Sequence, residues 1–552
     1  MSENASPSAV GASMHGGLLA LRTLEQAGSG IDTMFTLSGG HIFPLLDAAH
    51  QLGWRIVDVR HEQTAVFAAE GMAKTSRRPG LAALTAGPGV TNGISALTGA
   101  YLNGTPLLVL GGRAPVHRWG SGSLQELDHI PIVSSVTKYS VTATDTSAIP
   151  AVVLRALHEA TTAHRGPAFV DFPLDVVGGQ AELAPLPPRP PIQHEELDLE
   201  AIGRVGALLD RALRPAVVAG GDVYWARAEQ ALVDLAETHR LPVFMNGLGR
   251  GTVPADHPLA FSRARPLLKQ ADVVVVVGTP LDFRLSFGRF GEALVVHVVD
   301  SESRRATHAA TEATLVGNVR TILEGLAGSG GTASTNADRQ HWLDRLGEEE
   351  AARRATEQRE LESGAHPIHP ARVYGELRKR LDRDAVVVGD GGDFVSYAGK
   401  LIDSYEPGTF LEPGPYGCLG TGMGYAAAAR LAHPGRQVVA CLGDGAFGFS
   451  AMDVDTLVRH RLPVVMVLGN NGIWGLEKHP MRFFYGYDVA ADLRQETRYD
   501  EVVAALGGAG ETVRLPAEIG PALDRGFRSG VPYLVNVLTD PSVAYPRSSN
   551  LA

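Results

Sequence analysis

Short, unbroken apolar runs alternate along this chain with longer amphipathic stretches. Among the runs are 56-IVDV-59, 82-AALT-85, 107-LLVL-110, 216-AVVAGG-221, 273-VVVVVG-278, 295-VVHVVD-300, 385-AVVVGD-390, 438-VVACLGDG-445 and 464-VVMVLGNN-471. Continuous rather than alternating hydrophobicity marks strands covered on both faces, as in a parallel sheet. Stretches such as 63-QTAVFAAEGMAKTS-76 and 226-ARAEQALVDLAETH-239 read as the covering helices. The pattern predicts an α/β chain of doubly wound parallel-sheet domains, repeated several times.

Two stretches break the alternation. Residues 178–197 are Pro-rich, and residues 328–367 open on GSGGTASTN and continue as the charged run GEEEAARRATEQRELES. Such segments connect domains, and the charged run reads most simply as a solvated helix. The expected domains are 1–180, 195–330 and 365–552, and a chain of 552 residues has room for three or four. No apolar run is long enough for a membrane span, and the N-terminus lacks the basic and apolar regions of a signal peptide. Acidic residues exceed basic ones by 60 to 49, a net charge of −11, which argues against general nucleic-acid binding. Cys418 and Cys441 are the two cysteines, too few for a disulfide framework, so a cytoplasmic setting is expected.

The chemistry-bearing signals begin in the last third. Gly443-Asp444-Gly445 ends one predicted strand, and Asn470-Asn471 ends another after 24 intervening residues. In a doubly wound sheet, the carboxyl ends of strands meet at a ligand crevice. An Asp and an Asn there are hard oxygen ligands suited to Mg²⁺, which completes its shell with phosphate oxygens and water. The glycines of GDGAFG let the chain turn and open a helix toward a diphosphate. A lone GDG means little; GDG followed at this distance by NN, each after a β-run, is far more specific.

This pairing resembles the diphosphate-anchoring motif of thiamine-diphosphate enzymes. The resemblance implies that Asp444, the Asn471 side chain and the Ile473 carbonyl hold Mg²⁺. Gly391 and Gly392, together with Gly443, Gly445 and Ala446, then approach the diphosphate. Such enzymes also need a carboxyl against the pyrimidine N1′, to favour the imino tautomer that removes the thiazolium C2 proton. Glu62, at the strand-to-helix junction of RIVDVRHEQ, fills that place, and burial favours the protonated form of a carboxyl in such surroundings. In 416-YGCLGTGMGYAAAA-429 the family has an aliphatic wedge that bends the cofactor, here Leu419, and a carbonyl that accepts from the 4′-amino group, here Gly417. Taken alone, that Gly-rich stretch also reads as a tight helix–helix contact.

Nearly the whole chain is similar to the group containing acetolactate synthase, oxalyl-CoA decarboxylase, 2-hydroxyacyl-CoA lyase and benzaldehyde lyase. The shared segments are AGPGVTNGISAL (86–97), TPLLVLGG (105–112) and SLQEL (123–127), where Gln125 matches a glutamine pointing into the active site. The stretch 443-GDGAFGFSAMDVDTLVRHRLPV-464 looks like the CoA-lyase form. So do 247-GLGRGTVPADHP-258 and PLDFRLSFG (280–288) in the middle domain, which holds ADP in those enzymes, while the flavin signature of acetolactate synthases is missing. His41, in SGGHIF, matches the active-site histidine of benzaldehyde lyase.

The resemblance therefore implies a C–C lyase that cleaves a 2-hydroxyacyl-CoA to formyl-CoA and an aldehyde or ketone. His41 takes the 2-hydroxyl proton, Gln125 bonds the developing alkoxide, and the cofactor ring holds the electron pair. The alternatives are acetolactate synthase, which decarboxylates and condenses pyruvate and holds FAD, and a benzaldehyde-lyase-like carboligase. Trp474 and Phe447 either wall the pocket or merely pack. Arg263, Arg265, Arg284 and Arg547 are candidates for the CoA phosphates, and the tail AYPRSSNLA for a lid. Active sites in the family lie between subunits, which implies a homodimer or homotetramer.

Overall fold

The computed structural model describes residues 13–186, 196–330 and 337–546. Among them, three six-stranded sheets are parallel throughout. The first contains β1 (Thr33–Leu37), β2 (Arg55–Asp58), β3 (Gly80–Leu84), β4 (Leu107–Arg113), β5 (Tyr139–Thr142) and β6 (Pro167–Pro173). The second contains β7 (Pro215–Ala219), β8 (Val243–Met245), β9 (Ala260–Phe261), β10 (Val273–Val277), β11 (Leu294–Val299) and β12 (Ala313–Val316). The third contains β13 (Val386–Asp390), β14 (Phe410–Leu411), β15 (Val438–Gly443), β16 (Val465–Asn470), β17 (Ala509–Val513) and β18 (Tyr533–Leu538). Every residue of β3, β7 and β10 is buried, which is why these strands read as unbroken apolar runs. The fold is that of three α/β domains.

Strand order places the ligand crevices. The first sheet runs β2-β1-β3-β4-β6-β5 and the third runs β14-β13-β15-β16-β18-β17, the same order once renumbered. The middle sheet runs β9-β8-β7-β10-β11-β12. In the first and third, successive crossovers lead to opposite sides of the opening strand, so a crevice opens where β1 meets β3 and where β13 meets β15.

The chain forms two compact units. One comprises the described residues of 1–192, 413–432 and 450–462; the other those of 193–412, 433–449 and 463–552. Two pieces of the final third, 413–432 and 450–462, thus belong with the first sheet. In that first unit, helix α1 (Glu62–Ser76) lies against helix α4 (Thr421–Ala432), with α2 (Pro88–Asn92) following β3 and α3 (Ala337–Leu361) in the other unit. Gly71 and Gly424 permit the α1–α4 approach: a Cβ on Gly424 would stand 2.9 Å from Ala68 N, and one on Gly71 2.9 Å from Tyr425 Cα. Between these helices Glu70, Lys74 and Tyr425 form a buried triangle, with Lys74 Nζ 2.8 Å from Glu70 Oε1 and Tyr425 donating to Glu70 Oε2 at 2.7 Å.

Helix α3 carries the charged run, which is exposed or partly exposed apart from Glu357 and Leu361, as expected of a solvated helix, but the helix starts earlier, at Ala337. One face buries Arg339, Trp342, Leu343 and Leu346. Arg339 donates to the carbonyls of Leu209, Ala212 and His239. Those carbonyls stand at the C-terminal ends of neighbouring helices, where intrahelical partners run out, so a charged residue becomes a core residue. Among the described residues, no helix is long and apolar enough to cross a membrane.

Candidate active site

In the first unit, the crevice between β1 and β3 gathers three of the residues singled out from sequence. Glu62 opens α1 behind the N-cap His61, whose Nδ1 accepts from Gln63 N at 3.1 Å. Its side chain is buried, and Asn92 Nδ2 donates to its Oε2 at 3.0 Å. The β3–α2 turn runs alongside: a Cβ on Gly89 would stand 2.7 Å from Thr85 Cγ2 and 3.7 Å from Glu62 Oε1, so backbone approaches the carboxyl closely. His41 lies in the turn after β1, also buried, with Nδ1 3.5 Å from Thr85 Oγ1. Gly112 backs it, since a Cβ there would be 2.6 Å from His41 Cβ. Burial holds the His41 pKa below the ordinary histidine value, a bond with the Leu124 backbone opposes this, and the nearby His129 adds to it. His41 is therefore a free base at neutral pH. Gln125 adopts φ +58° and packs on Gly87.

The wedge residue belongs to the same unit. Gln63 Nε2 donates to the Leu419 carbonyl at 3.1 Å. Gly417 takes φ +73° with open space around its Cα. Asp453 fixes the start of α1 from below, accepting from Arg60 N at 2.7 Å and Thr64 Oγ1 at 2.6 Å. Sequence reasoning missed Asn92, Thr85 and Asp453. Asn92 and Asp453 stand inside quoted segments, AGPGVTN and GFSAMDVDT, yet nothing local says that one reaches Glu62 and the other anchors its helix.

The second unit holds the other half of the prediction. Strands β15 and β16 pair in register Gly443↔Gly469 and deliver Asp444 and Asn471 side by side at their carboxyl ends. Asp444 is buried, accepting from Gly445 N at 2.9 Å and Gly472 N at 2.7 Å. Burial pushes its pKa up to about 6, against the pull of those backbone donors. Among the described residues no Lys, Arg or His pairs with it. A buried carboxylate with an uncompensated charge is what a divalent cation relieves, and Asp444 with Asn471 and the Ile473 carbonyl is an all-oxygen set of the kind Mg²⁺ takes. Asn471 Oδ1 meanwhile accepts from Ile473 N at 3.2 Å. Gly391, at φ +136°, lies so near the neighbouring strand end that a Cβ would meet Gly443 N at 3.1 Å and Ala446 Cβ at 3.4 Å. Gly392 abuts Leu476, and Gly445 lies under the Trp474 ring. Phe447 is fully buried and meets Tyr499 edge-on at 5.7 Å, so it is a core residue.

A cavity of about 600 Å³ in the second unit is lined by Met245, Asn246, Arg265, Arg284, Lys400 and Tyr545, among others. Of the arginines singled out from sequence, Arg263 is spoken for: it is buried, 3.1 Å from Glu357 and 2.5 Å from Asp403. Arg284 forks onto Asp282. Arg265 bonds the Met245 carbonyl at 3.4 Å, and both burial and the adjacent Arg284 lower its pKa. Arg547 and most of the tail read as a lid lie outside the described residues.

Residues 14–132 match the N-terminal thiamine pyrophosphate-binding domain of thiamine pyrophosphate enzymes, 202–326 the central domain and 390–537 the C-terminal thiamine pyrophosphate-binding domain. The chain is 54% identical over 549 residues to a probable acetolactate synthase of Mycobacterium bovis and to an acetolactate synthase large subunit of Mycobacterium tuberculosis, covering 98% of each partner. It is 33% identical to 2-hydroxyacyl-CoA lyase 2 of Caenorhabditis elegans over 90% of this chain and 84% of that one. It is 32% identical to the human 2-hydroxyacyl-CoA lyase 2, over 92% and 88%. With all three domains matched in order and relatives aligned along nearly its full length, the chain belongs to the thiamine pyrophosphate enzymes.

Proposed function

We propose that this thiamine-pyrophosphate enzyme is a Mg²⁺-dependent carbon–carbon lyase that cleaves a 2-hydroxyacyl-CoA to formyl-CoA and an aldehyde or ketone. The observation that carries the reading is His41, a buried histidine whose Nδ1 lies 3.5 Å from Thr85 Oγ1 in the same β1–β3 crevice as Glu62. A 2-hydroxyacyl thioester releases its carbonyl fragment only when its hydroxyl proton is removed. His41 accepts that proton at a ring nitrogen. Gln125 donates to the oxygen on which charge develops. Glu62, steadied by Asn92, presents its carboxyl to the pyrimidine, and Leu419 sets the bend. Asp444, Asn471 and the Ile473 carbonyl hold Mg²⁺, with Gly391, Gly392, Gly443, Gly445 and Ala446 leaving room for the diphosphate. The bound cofactor supplies a carbanion and an electron sink.

Arg265 and Arg284 give the cavity of the second unit the character of an anion site. Arg284 already forks onto Asp282, whereas among the described residues Arg265 meets only the Met245 carbonyl, and an incoming phosphate would supply its counter-charge, so we assign this cavity to the nucleotide part of CoA or to a bound ADP. In this reading two copies of the chain share each pair of sites, as a homodimer or homotetramer. Acetolactate synthase is the second reading, favoured by the names of the relatives at 54% identity.

The deciding experiment incubates the purified chain with thiamin diphosphate and Mg²⁺. It measures formyl-CoA release from a panel of 2-hydroxyacyl-CoAs against acetolactate formation from pyruvate. Small molecules released on denaturation are weighed in parallel. Formyl-CoA without bound FAD is the expected result; acetolactate and a yellow, FAD-containing protein select the second reading.

A further inference from the structure

His129, Asp171 and Arg113 form a buried polar group in the first unit that the reaction above leaves without a role. His129 and Asp171 are both wholly buried. His129 Nδ1 lies 3.1 Å from Asp171 Oδ1, and His129 Nε2 lies 2.9 Å from the backbone nitrogen of Gly87. A backbone N–H donates and a carboxylate accepts, so one arrangement satisfies both contacts: the ring is neutral, its proton is on Nδ1, and the Nε2 lone pair receives the Gly87 N–H. The other Asp171 oxygen accepts from Arg113 Nη1 at 2.7 Å and from Thr142 Oγ1 at 3.4 Å. Phe169 meets the imidazole edge-on, with ring centres 6.3 Å apart.

Gly87 is the place where this matters. Its φ of +61° makes the turn out of β3 that starts α2. A Cβ there would stand 3.0 Å from both Cβ and the carbonyl oxygen of Gln125, so the turn is the surface on which Gln125 rests. Two residues later Gly89 passes Glu62 Oε1, and α2 ends at Asn92, the residue bonded to Glu62. Arg113, which holds Asp171, follows Gly112, the glycine behind His41. One buried anchor thus underlies all three candidate catalytic groups.

We propose that His129 is a positioning residue: its neutral imidazole, set in one tautomer by Asp171, pins the Gly87 turn and so aligns Gln125 and Glu62. The inference rests on the reading of Glu62 as the pyrimidine carboxyl. Protonating Nε2 would set an N–H against the Gly87 N–H and release the pin.

Two substitutions in the full chain test it. His129→Phe keeps a ring against Phe169 and removes both nitrogens. His129→Gln restores an acceptor for Gly87 and a donor for Asp171. Three quantities are read: amide hydrogen exchange of residues 85–92 in the ligand-free protein, deuterium exchange at C2 of bound thiamin diphosphate, and the thermal midpoint. In His129→Phe, the Gly87 amide should exchange about tenfold faster and C2 about tenfold slower, the size of one hydrogen bond. His129→Gln should match wild type in both. Wild-type C2 exchange in a folded His129→Phe overturns the proposal, and so does a folded His129→Gln that behaves like a null variant. If the Phe variant does not fold, the Gln variant alone decides. Glu62→Gln is the control. If it leaves C2 exchange intact, the reading of Glu62 fails. If it abolishes exchange while both His129 variants keep it, the positioning role alone fails. C2 exchange does not depend on which substrate the enzyme takes.

Discussion

The two crevices lie on sheets of identical strand order, yet they are prepared for chemistry in opposite ways. At the β1–β3 crevice, Glu62 already has Asn92, His41 has Thr85, and the turn between them is tied through His129 to Asp171. At the β13–β15 crevice, Asp444 has only backbone N–H partners, and burial drives its pKa up to about 6. The first crevice is completed by the protein itself; the second is left short of positive charge, which a bound cation would supply. Proton-handling groups need fixed geometry before substrate arrives, whereas a metal anchor gains its order from the metal.

Four experiments break or sharpen this contrast. Glu62→Gln should have the largest effect. Turnover should fall by about 10³-fold, within the range for a proton-handling group, with the circular-dichroism spectrum and thermal midpoint unchanged; near-normal turnover would remove Glu62 from the chemistry.

Asp444→Ala should abolish Mg²⁺-dependent retention of thiamin diphosphate. Wild type at a hundredfold excess of ligand over Kd gains about 2.7 kcal/mol of stability, visible as a raised thermal midpoint. The variant should show no such gain, and chelation should not lower its midpoint further. An equal gain in both proteins would contradict the metal role.

His41→Ala comes next, with kcat expected to fall by about 10²-fold and KM to change little. Because burial holds the His41 pKa below the usual histidine value, the wild-type rate should fall only as pH drops through that lowered value, where the ring gains a proton and can no longer accept one. The acid limb should vanish in the variant; an unchanged limb assigns it to another group.

Asn92→Ala should have the smallest effect. Its amide is exposed enough for water to replace the bond to Glu62, so the loss should be that of one ordinary hydrogen bond, about 0.5–1.5 kcal/mol or up to roughly tenfold in rate. A loss as large as that of Glu62→Gln would mean that Asn92 itself acts on the cofactor.

Much of the molecule is written locally in the chain. The runs that predicted β3, β7, β10, β15 and β16 are strands because unbroken Val, Leu and Ala sequences satisfy a sheet covered on both faces. Asp444 and Asn471 were legible because each directly ends such a run, and neighbouring parallel strands bring their ends together. Nothing near Arg339 in the chain announces the carbonyls of Leu209, Ala212 and His239, scores of residues away, that its guanidinium meets. The ion pairs of Arg263 with Glu357 and Asp403, both distant in the chain, likewise have no local sign in the sequence.

By itself the sequence determined the strands, the helices and the residue types able to bind a cation or move a proton, because these follow from short-range periodicity and side-chain chemistry. The tertiary structure alone decided which of those groups are prepared for use. That depends on partners scores of residues away in the chain: Asp171 and Gly87 either side of His129, Asp453 beneath the helix of Glu62, and Gly424 against Ala68. Long-range hydrogen bonds and close backbone approaches have no local signature, since their energy is realised only when folding has closed the loops between them.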